Sequence, residues 1–162
     1  MTASIEMYCA GDCTHEGEPT QKGGCGIILV STDKYGRTQH REFHYGLGNS
    51  NLDLAELQAV RLAMASVSPA NRADKVTVTT NSVLVATILT DDADTDVIKG
   101  KQKIIAEVRK WYGFYKNIEI VVAAGNDRHM DRALELARKG LTTQSVFDTL
   151  TLPGDANVNP TR

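Results

Sequence analysis

The feature that most constrains the fold is a short apolar strand that runs into a turn and is followed by a second strand with a glycine-rich start. Residues Ile5 to Cys9 alternate weakly between apolar and polar side chains, and Ala10 to Cys13 form the turn. The segment Gly23 to Gly26 opens the apolar run Ile27 to Val30, which is typical of a strand covered on both faces. These segments predict an antiparallel pair of strands.

The rest of the chain alternates helices with strands. Arg37 to Tyr45 follows a turn and predicts a third strand, so the first three strands form an antiparallel meander. The order α-β-α-α-β-α then follows, at Leu54–Val67, Lys75–Thr80, Val83–Leu89, Val97–Gly113, Ile118–Val122 and Asp131–Gly140. Crossover connections of this kind predict an α/β fold with a mixed five-stranded sheet flanked by helices. We expect one domain over residues 1–142, and a flexible C-terminal tail over residues 143–162, which carry little apolar surface.

Charge is nearly balanced overall but uneven along the chain. The formal net charge is −2, which does not indicate general affinity for phosphate backbones. Residues 97–117 nevertheless carry six basic side chains and one acidic one: Lys99, Lys101, Lys103, Arg109, Lys110 and Lys116 against Glu107. No apolar stretch approaches the roughly 20 residues of a membrane span, and the first residues do not form a signal segment. We therefore expect no membrane partner and a cytoplasmic location.

The three cysteines are an odd number and lie on or beside predicted strands. Cys9, Cys13 and Cys25 therefore indicate reduced, mostly buried thiols rather than a disulfide framework. Cys9 and Cys13 together with His15 also suggest part of a zinc site. A fourth ligand and a second paired cluster are missing, so the residues favour free thiols.

Five short motifs, in order, resemble type 1 ribonuclease H over roughly residues 4–141. They are Ile5–Tyr8 with Ala10–Cys13, Gly17–Pro19 before Gly23–Gly26, Ala55–Leu57, Thr79–Ser82 and Glu135–Gly140. The resemblance implies a ribonuclease-H-like fold. In such a sheet, ligands gather at the carboxyl ends of the central parallel strands, here the first and fourth. Members of this family cut the RNA strand of an RNA–DNA hybrid with two magnesium ions held by four carboxylates.

Carried over position by position, the resemblance leaves one of the four carboxylates in place. Glu56 matches the glutamate of the first helix, whereas Ala10, Asn81 and Leu134 stand at the three aspartate positions. The family's mobile histidine falls near Ala124. Two cations about 4 Å apart need several anionic oxygens to offset their repulsion. The resemblance therefore implies a degenerate, inactive or impaired site with no metal cofactor.

A relocated carboxylate set is the alternative. Asp12 lies two residues beyond Ala10 and on the same face if the strand continues that far. Asp131 or Glu135 would then replace the last ligand, and Asp12, Glu56 and Asp131 would hold Mg²⁺ or Mn²⁺. The other interpretation is that Asp12 is a turn residue and that Asp131 is a charge at a helix N-terminus.

Candidate nucleic-acid contacts lie at the start of the first helix and on the basic helix. Asn49, Ser50 and Asn51 are N-cap candidates, and Asp53 stands where the family tends to have an asparagine near the minor groove of the hybrid. The resemblance also implies contacts to the DNA strand from Lys99, Lys101, Lys103, Arg109 and Lys110, with Trp111 or Tyr112 stacking on sugar or base. Alternatively, Ile104, Ile105, Val108 and Trp111 face the core and the lysines are only solvated.

Three functions remain as alternatives. The first is a non-catalytic protein that binds an RNA–DNA hybrid or structured RNA without cleaving it. The second is an active, metal-dependent hybrid ribonuclease with the relocated set. The third is a protein-interaction module, whose cleft or edge strand docks onto a larger assembly. The three lost ligand positions favour the first and the third.

Overall fold

The computed structural model describes residues 2–72, 74–90 and 102–142, and these build one mixed sheet with helices on both faces. The strands are β1 (Thr2–Thr14), β2 (Lys22–Asp33), β3 (Thr38–Gly48), β4 (Lys75–Thr80) and β5 (Ile118–Val122). The α-helices of these ranges are α1 (Leu52–Ala65), α2 (Val83–Thr90), α3 (Gln102–Gly113) and α4 (Arg128–Gly140), and a 3-10 turn covers Pro69–Asn71.

The strands follow the order β3-β2-β1-β4-β5 across the sheet. The first three strands pair antiparallel, β4 runs parallel to β1, and β5 runs parallel to β4. This arrangement confirms the predicted α/β fold and its antiparallel meander. Cys9 of β1 lies opposite Thr80, the last residue of β4, and β1 continues past it to Thr14 at the same end of the sheet. We call this end of the sheet, where β4 and β5 finish, the upper end. The opposite end, where β1, β4 and β5 begin, is the lower end.

Alternate residues of β1 face two different layers. Ile5, Met7 and Cys9 lie in the main core, together with apolar residues of α1 and α3. Ala10 lies in a smaller apolar cluster, whose other members come mainly from α4. The helix α4 therefore covers the second face of the sheet. It contacts β1, β2 and β3.

The helix α4 is held on the sheet by a close backbone approach and by an ion pair. A Cβ atom on Gly24 would lie 2.2 Å from the carbonyl oxygen of Ala137. The guanidinium of Arg132 donates two hydrogen bonds to the carboxylate of Glu42 on β3, at 3.0 and 2.9 Å. These bonds hold the pKa of Glu42 below its usual range. The absence of side chains in the glycine-rich run at the start of β2 thus allows α4 to pack closely on the sheet.

The observed elements differ from the predicted ones mainly at their ends. The strand β1 continues to Thr14 because its last residues pair with β2 as far as Lys22. The helix α1 begins at Leu52, since the side chain of Asn51 accepts a hydrogen bond from the Leu54 amide at 2.8 Å. The helix α4 begins three residues before the predicted start because Asp127 caps it. The predicted start of the basic helix and the tail over residues 143–162 lie outside the described residues.

The three cysteines are free. Cys9 and Cys25 are buried, and burial raises the pKa of both thiols. Cys13 is half-buried, and its thiol donates to the carbonyl oxygen of Ser50 at 3.1 Å. These placements confirm the prediction of mostly buried thiols outside a disulfide framework. No helix in the described parts of the chain is long and apolar enough to cross a membrane.

Candidate functional site

Two of the positions implied as metal ligands lie in an apolar contact. Ala10 is 1% exposed and belongs to the cluster that α4 forms with β1 and β2. Leu134 is partly buried and packs against the same cluster, beside Met130 and Ala133. Neither side chain offers an oxygen atom. The contact between β1 and α4 is therefore apolar at the two places where the resemblance implies aspartates.

Glu56, the remaining family carboxylate, lies on α1 close to the backbone of β1. A Cβ atom on Gly11 would lie 2.4 Å from the Glu56 amide nitrogen, so α1 and β1 are in direct contact here. Burial raises the pKa of Glu56 to about 7, and the negative charges of Asp53 and Glu16 add to the rise. Sequence reasoning missed Glu16. It comes from the loop between β1 and β2, and only the fold brings it near α1.

The other two implied positions lie on exposed turns. Asn81 is exposed in the turn between β4 and α2. The flanking hydroxyls hold this turn, because Thr80 accepts a hydrogen bond from the Ser82 amide at 3.1 Å and Ser82 accepts one from the Val85 amide at 3.0 Å. Ala124 is exposed in the loop that joins β5 to α4.

The residues of the relocated set have other partners. Asp12 does lie on the same face as Ala10, but one of its oxygens is 3.5 Å from Nε of Arg138 and the other accepts a hydrogen bond from the Cys13 amide at 2.8 Å. Asp131 is exposed in the first turn of α4, as expected for a charge at a helix N-terminus. Glu135 forms an ion pair with Arg132 at 2.9 Å.

The carboxylates of the described residues do not form a metal site. Across residues 2–72, 74–90 and 102–142, no three His, Cys, Asp or Glu side chains are grouped so that they could hold an ion. A pair of Mg²⁺ ions requires several anionic oxygens at one place. The donor set around Glu56 therefore does not fit the metal pair that the resemblance implies.

The candidate nucleic-acid contacts are only partly presented to solvent. Lys103 and Lys110 are exposed on α3, and Asp53 is exposed in the first turn of α1. Asn51 uses its side-chain oxygen as the cap of α1. Arg109 is half-buried, and its Nε donates to the carbonyl oxygen of Ile88 at 3.0 Å. Lys99 and Lys101 lie outside the described residues.

Trp111 is packed between the core and two neighbouring side chains. Its ring packs against the main core, the guanidinium of Arg72 lies 4.9 Å from its centroid, and Phe114 meets it edge-on at 5.6 Å. Ile105 and Val108 on the same helix are buried. This placement agrees with the core-facing interpretation of α3. Phe114, which is 48% exposed, is the aromatic residue beside it that sequence reasoning missed.

Comparison with known proteins gives matches among solved structures alone. A scan against protein-family models and a search of curated proteins found no match. LC9-RNase H1, described as a type 1 RNase H with the type 2 active-site motif, superposes with a TM-score of 0.73 at 16% identity, over 87% of this chain and 73% of that chain. The fold is that of type 1 ribonuclease H.

Other structures with the ribonuclease H fold superpose over nearly their whole length. RNase H1 from the halophilic archaeon Halobacterium salinarum NRC-1 has a TM-score of 0.64 at 19% identity, over 85% of this chain and 97% of that chain. LC11-RNase H1 in complex with an RNA/DNA hybrid has a TM-score of 0.64 at 21% identity, over 85% and 96% respectively. These structures match the ribonuclease H fold over about 85% of this chain.

Proposed function

We propose that this chain is a nucleic-acid-binding protein with the ribonuclease H fold, which holds an RNA–DNA hybrid or a structured RNA without cutting it. The observation that carries the proposal is the apolar contact of Leu134 with the cluster that contains Ala10. Hydrolysis by two metal ions needs anionic oxygens at these places. Methyl groups supply none.

The state of Glu56 supports the same proposal. With a pKa of about 7, raised by burial first and then by Asp53 and Glu16, this carboxyl group is about half protonated at neutral pH. A metal ligand must be deprotonated, so a metal ion at Glu56 would have to compete with the proton that this carboxyl group binds. A single, half-protonated carboxylate is a poor anchor for a hard divalent cation.

Binding to nucleic acid is supported by the fold and by the exposed cations of α3. LC11-RNase H1, which shares the fold, was solved in complex with an RNA/DNA hybrid. Lys103 and Lys110 are exposed on the helix that the resemblance places near the DNA strand. Exposed lysines contact phosphates without reading sequence, so we expect salt-sensitive binding with little sequence preference. We place this activity in a cytoplasm-like compartment, where the free thiols stay reduced.

An active hybrid ribonuclease would need a rearrangement that the structure disfavours. Asp12 would have to leave Arg138 and approach Glu56, although its strand is paired with β2 on both sides of this position. Asp131 would have to move from the exposed first turn of α4. A metal site tolerates little displacement of its ligands.

The experiment that tests the proposal uses a labelled RNA–DNA hybrid with the complete chain. Cleavage is measured in Mg²⁺ and in Mn²⁺ on a denaturing gel, and binding is measured on a native gel of the same samples. We expect a shifted, intact hybrid. Metal-dependent cleavage that Glu56→Gln abolishes would overturn the proposal in favour of the enzyme. Failure to shift either the hybrid or a structured RNA run beside it would overturn the proposal altogether.

One observation favours the protein-interaction alternative as a second candidate. The strand β5 is the last strand of the observed sheet, and Val121 and Val122 on it are 42% and 40% exposed. An exposed apolar edge strand suits pairing with an extended segment of a partner protein. This candidate predicts that the unmodified chain forms a defined protein complex and does not bind the hybrid. It also predicts that Val121→Lys loses the complex.

A further inference from the structure

The lower end of the sheet carries an exposed aromatic ring inside a cationic cavity. Pro69, Arg72, Phe114 and Lys116 line a cavity of 280 Å³ at the start of β5. The ring of Phe114 is 48% exposed, and the guanidinium of Arg72 lies 5.9 Å from its centroid. Nε of Arg72 is buried without a hydrogen-bond partner. The cavity therefore combines a ring that is open to solvent with two positive charges.

A second exposed ring with two cations lies on the turn between β2 and β3. Tyr35 is 71% exposed, with Nζ of Lys34 at 5.1 Å and the guanidinium of Arg37 at 5.2 Å from its centroid. Asp33 accepts hydrogen bonds from the amides of Tyr35 and Arg37 at 2.9 and 3.0 Å. The turn is thus built by its own hydrogen bonds and presents the ring outward.

The two rings lie at the same end of the molecule. Thr2 at the start of β1 pairs with Asp33, and the Val76 amide at the start of β4 donates to the carbonyl of Asn117 at 2.8 Å. With strands about 4.8 Å apart, the Tyr35 turn and the start of β5 are separated by roughly 17 Å across the sheet. The length of β4, at about 3.3 Å per residue, places this end roughly 20 Å from the upper end, where Glu56 lies.

The charge of the lower end suits a polyanion. The described residues of its loops, at positions 33–37, 68–75 and 113–117, include five cations and two carboxylates: Lys34, Arg37, Arg72, Lys75 and Lys116 against Asp33 and Asp74. Asp33 and Arg37 form an ion pair at 2.7 Å and offset each other, and Asp74 does not line the cavity. Lys34, Arg72, Lys75 and Lys116 are the remaining cations. By contrast, the charges acting on Glu56 at the upper end are negative.

We propose that the lower end binds single-stranded nucleic acid, with bases stacked on Phe114 and Tyr35 and with phosphates held by Lys116, Lys34 and Arg72. Exposed aromatic rings set among cations are the usual means of binding single strands without sequence preference. A duplex has its base faces already stacked, so the rings select an open strand. This surface is separate from the hybrid-binding function proposed above and does not depend on it.

The first test is fluorescence anisotropy with labelled oligo-dT and oligo-U of about 12 nucleotides, a length within the range that such surfaces cover. We expect both strands to bind and heparin, which has charges but no bases, to compete poorly. Equal binding of oligo-dT and oligo-U would show that the surface recognises bases and phosphates. A preference for oligo-U would show a further contact to the 2′-hydroxyl. The proposal would be overturned if neither oligonucleotide bound at low salt. It would also be overturned if heparin bound as tightly as the oligonucleotides.

Matched variants separate stacking from folding and from charge. Phe114→Leu and Tyr35→Leu remove the rings, and each should weaken binding about tenfold, while Phe114→Tyr and Tyr35→Phe should bind like the unmodified chain. Lys34→Gln and Lys116→Gln should each lower the slope of log K against log salt by about 0.7. Unchanged affinity in both leucine variants would refute the stacking.

The variant Lys103→Gln provides the control for the α3 surface, because Lys103 lies at the start of α3, whereas Lys110 is only four residues from Phe114. It should leave single-strand binding unchanged and weaken hybrid binding only. Loss of both activities in this variant would show that one surface serves both ligands, and it would refute a separate site at the lower end.

Discussion

Gly26 of β2 and Ala133 of α4 are in such close contact that a Cβ atom on the glycine would lie 1.9 Å from the alanine carbonyl oxygen. Gly26 is also the strand partner of Ala10. The glycine therefore allows α4 to pack against the sheet at the level of Ala10, where Leu134 contacts the apolar cluster that contains Ala10. Helix packing here occupies the place where the resemblance implies two aspartates.

Gly26→Ala should destabilise the protein because either α4 or β2 must move. We expect a loss of roughly 3 kcal/mol in the free energy of unfolding, at the upper end of the range for overpacking. Gly125→Ala is the matched control, since nothing lies within 4 Å of its added Cβ atom, and it should change stability by less than about 0.5 kcal/mol. Urea unfolding followed by circular dichroism compares the two, and equal midpoints would contradict the close packing.

Ala10→Asp should also destabilise the fold, and it should not by itself create a nuclease. The new carboxyl group would be buried in an apolar cluster with no designed partner, at a cost of about 2 kcal/mol or more. Asn81→Asp restores another family position on an exposed turn and should be nearly neutral. Thermal unfolding and hybrid cleavage in Mg²⁺ are the measurements. An Ala10→Asp variant with unchanged stability would show that this contact is open to water.

The raised pKa of Glu56 predicts that stability falls as pH increases from about 4.5 to about 7. In this range the folded state keeps a proton that the unfolded chain has lost, so rising pH favours unfolding until both states are ionised. Allowing for solvent screening of a partly exposed group, we expect roughly 1–2 kcal/mol. Glu56→Gln should remove this dependence and be more stable than the unmodified chain above pH 7.

Urea unfolding at several pH values tests this prediction, and Asp53→Asn provides a graded control. Removing the negative charge of Asp53 should lower the pKa of Glu56 and shorten the pH range over which stability falls. A flat pH profile in the unmodified chain, or the same slope in Glu56→Gln, would show that another group is responsible.

Lys103→Gln/Lys110→Gln should weaken binding of an RNA–DNA hybrid without changing stability, because both side chains are exposed on α3. Each phosphate contact contributes about 0.9 to the slope of log K against log salt on a duplex, so the double variant should lower the slope by nearly two. Lys22→Gln, on β2, removes an exposed charge away from α3 and serves as the control. The same salt slope in all three proteins would remove α3 from the interface.

Much of the fold follows from local patterns. Apolar alternation and continuous apolar runs locate the strands, and the polar run Asn49–Asn51 predicts the N-cap of the first helix, which the structure shows to be Asn51. The extension of β1 to Thr14 was harder to predict. Residues 10–14 have turn character by themselves, and their pairing with β2 as far as Lys22 makes them a strand.

The candidate site was less predictable from local patterns. Trp111 and Arg109 both belong to a basic helix, which suggested contacts to nucleic acid. In the structure Trp111 packs against the main core beside Arg72, and Arg109 donates to the carbonyl of Ile88. Helical periodicity gives the face on which a residue lies, but it does not give the neighbours that its side chain meets.

The sequence alone determined the order of the elements and the mixed α/β sheet, because these depend on residue type and on spacing along the chain. The resemblance to ribonuclease H, which also rests on short stretches of sequence, implied the fold and the survival of Glu56 among four ligand positions. Only the tertiary structure decided that Leu134 packs against the cluster of Ala10, that Asp12 pairs with Arg138, and that Glu16 acts on Glu56. Each of these contacts joins segments far apart in the chain. Strand register and the seating of α4 on Gly26 set their distances, and neither quantity is contained in a local pattern.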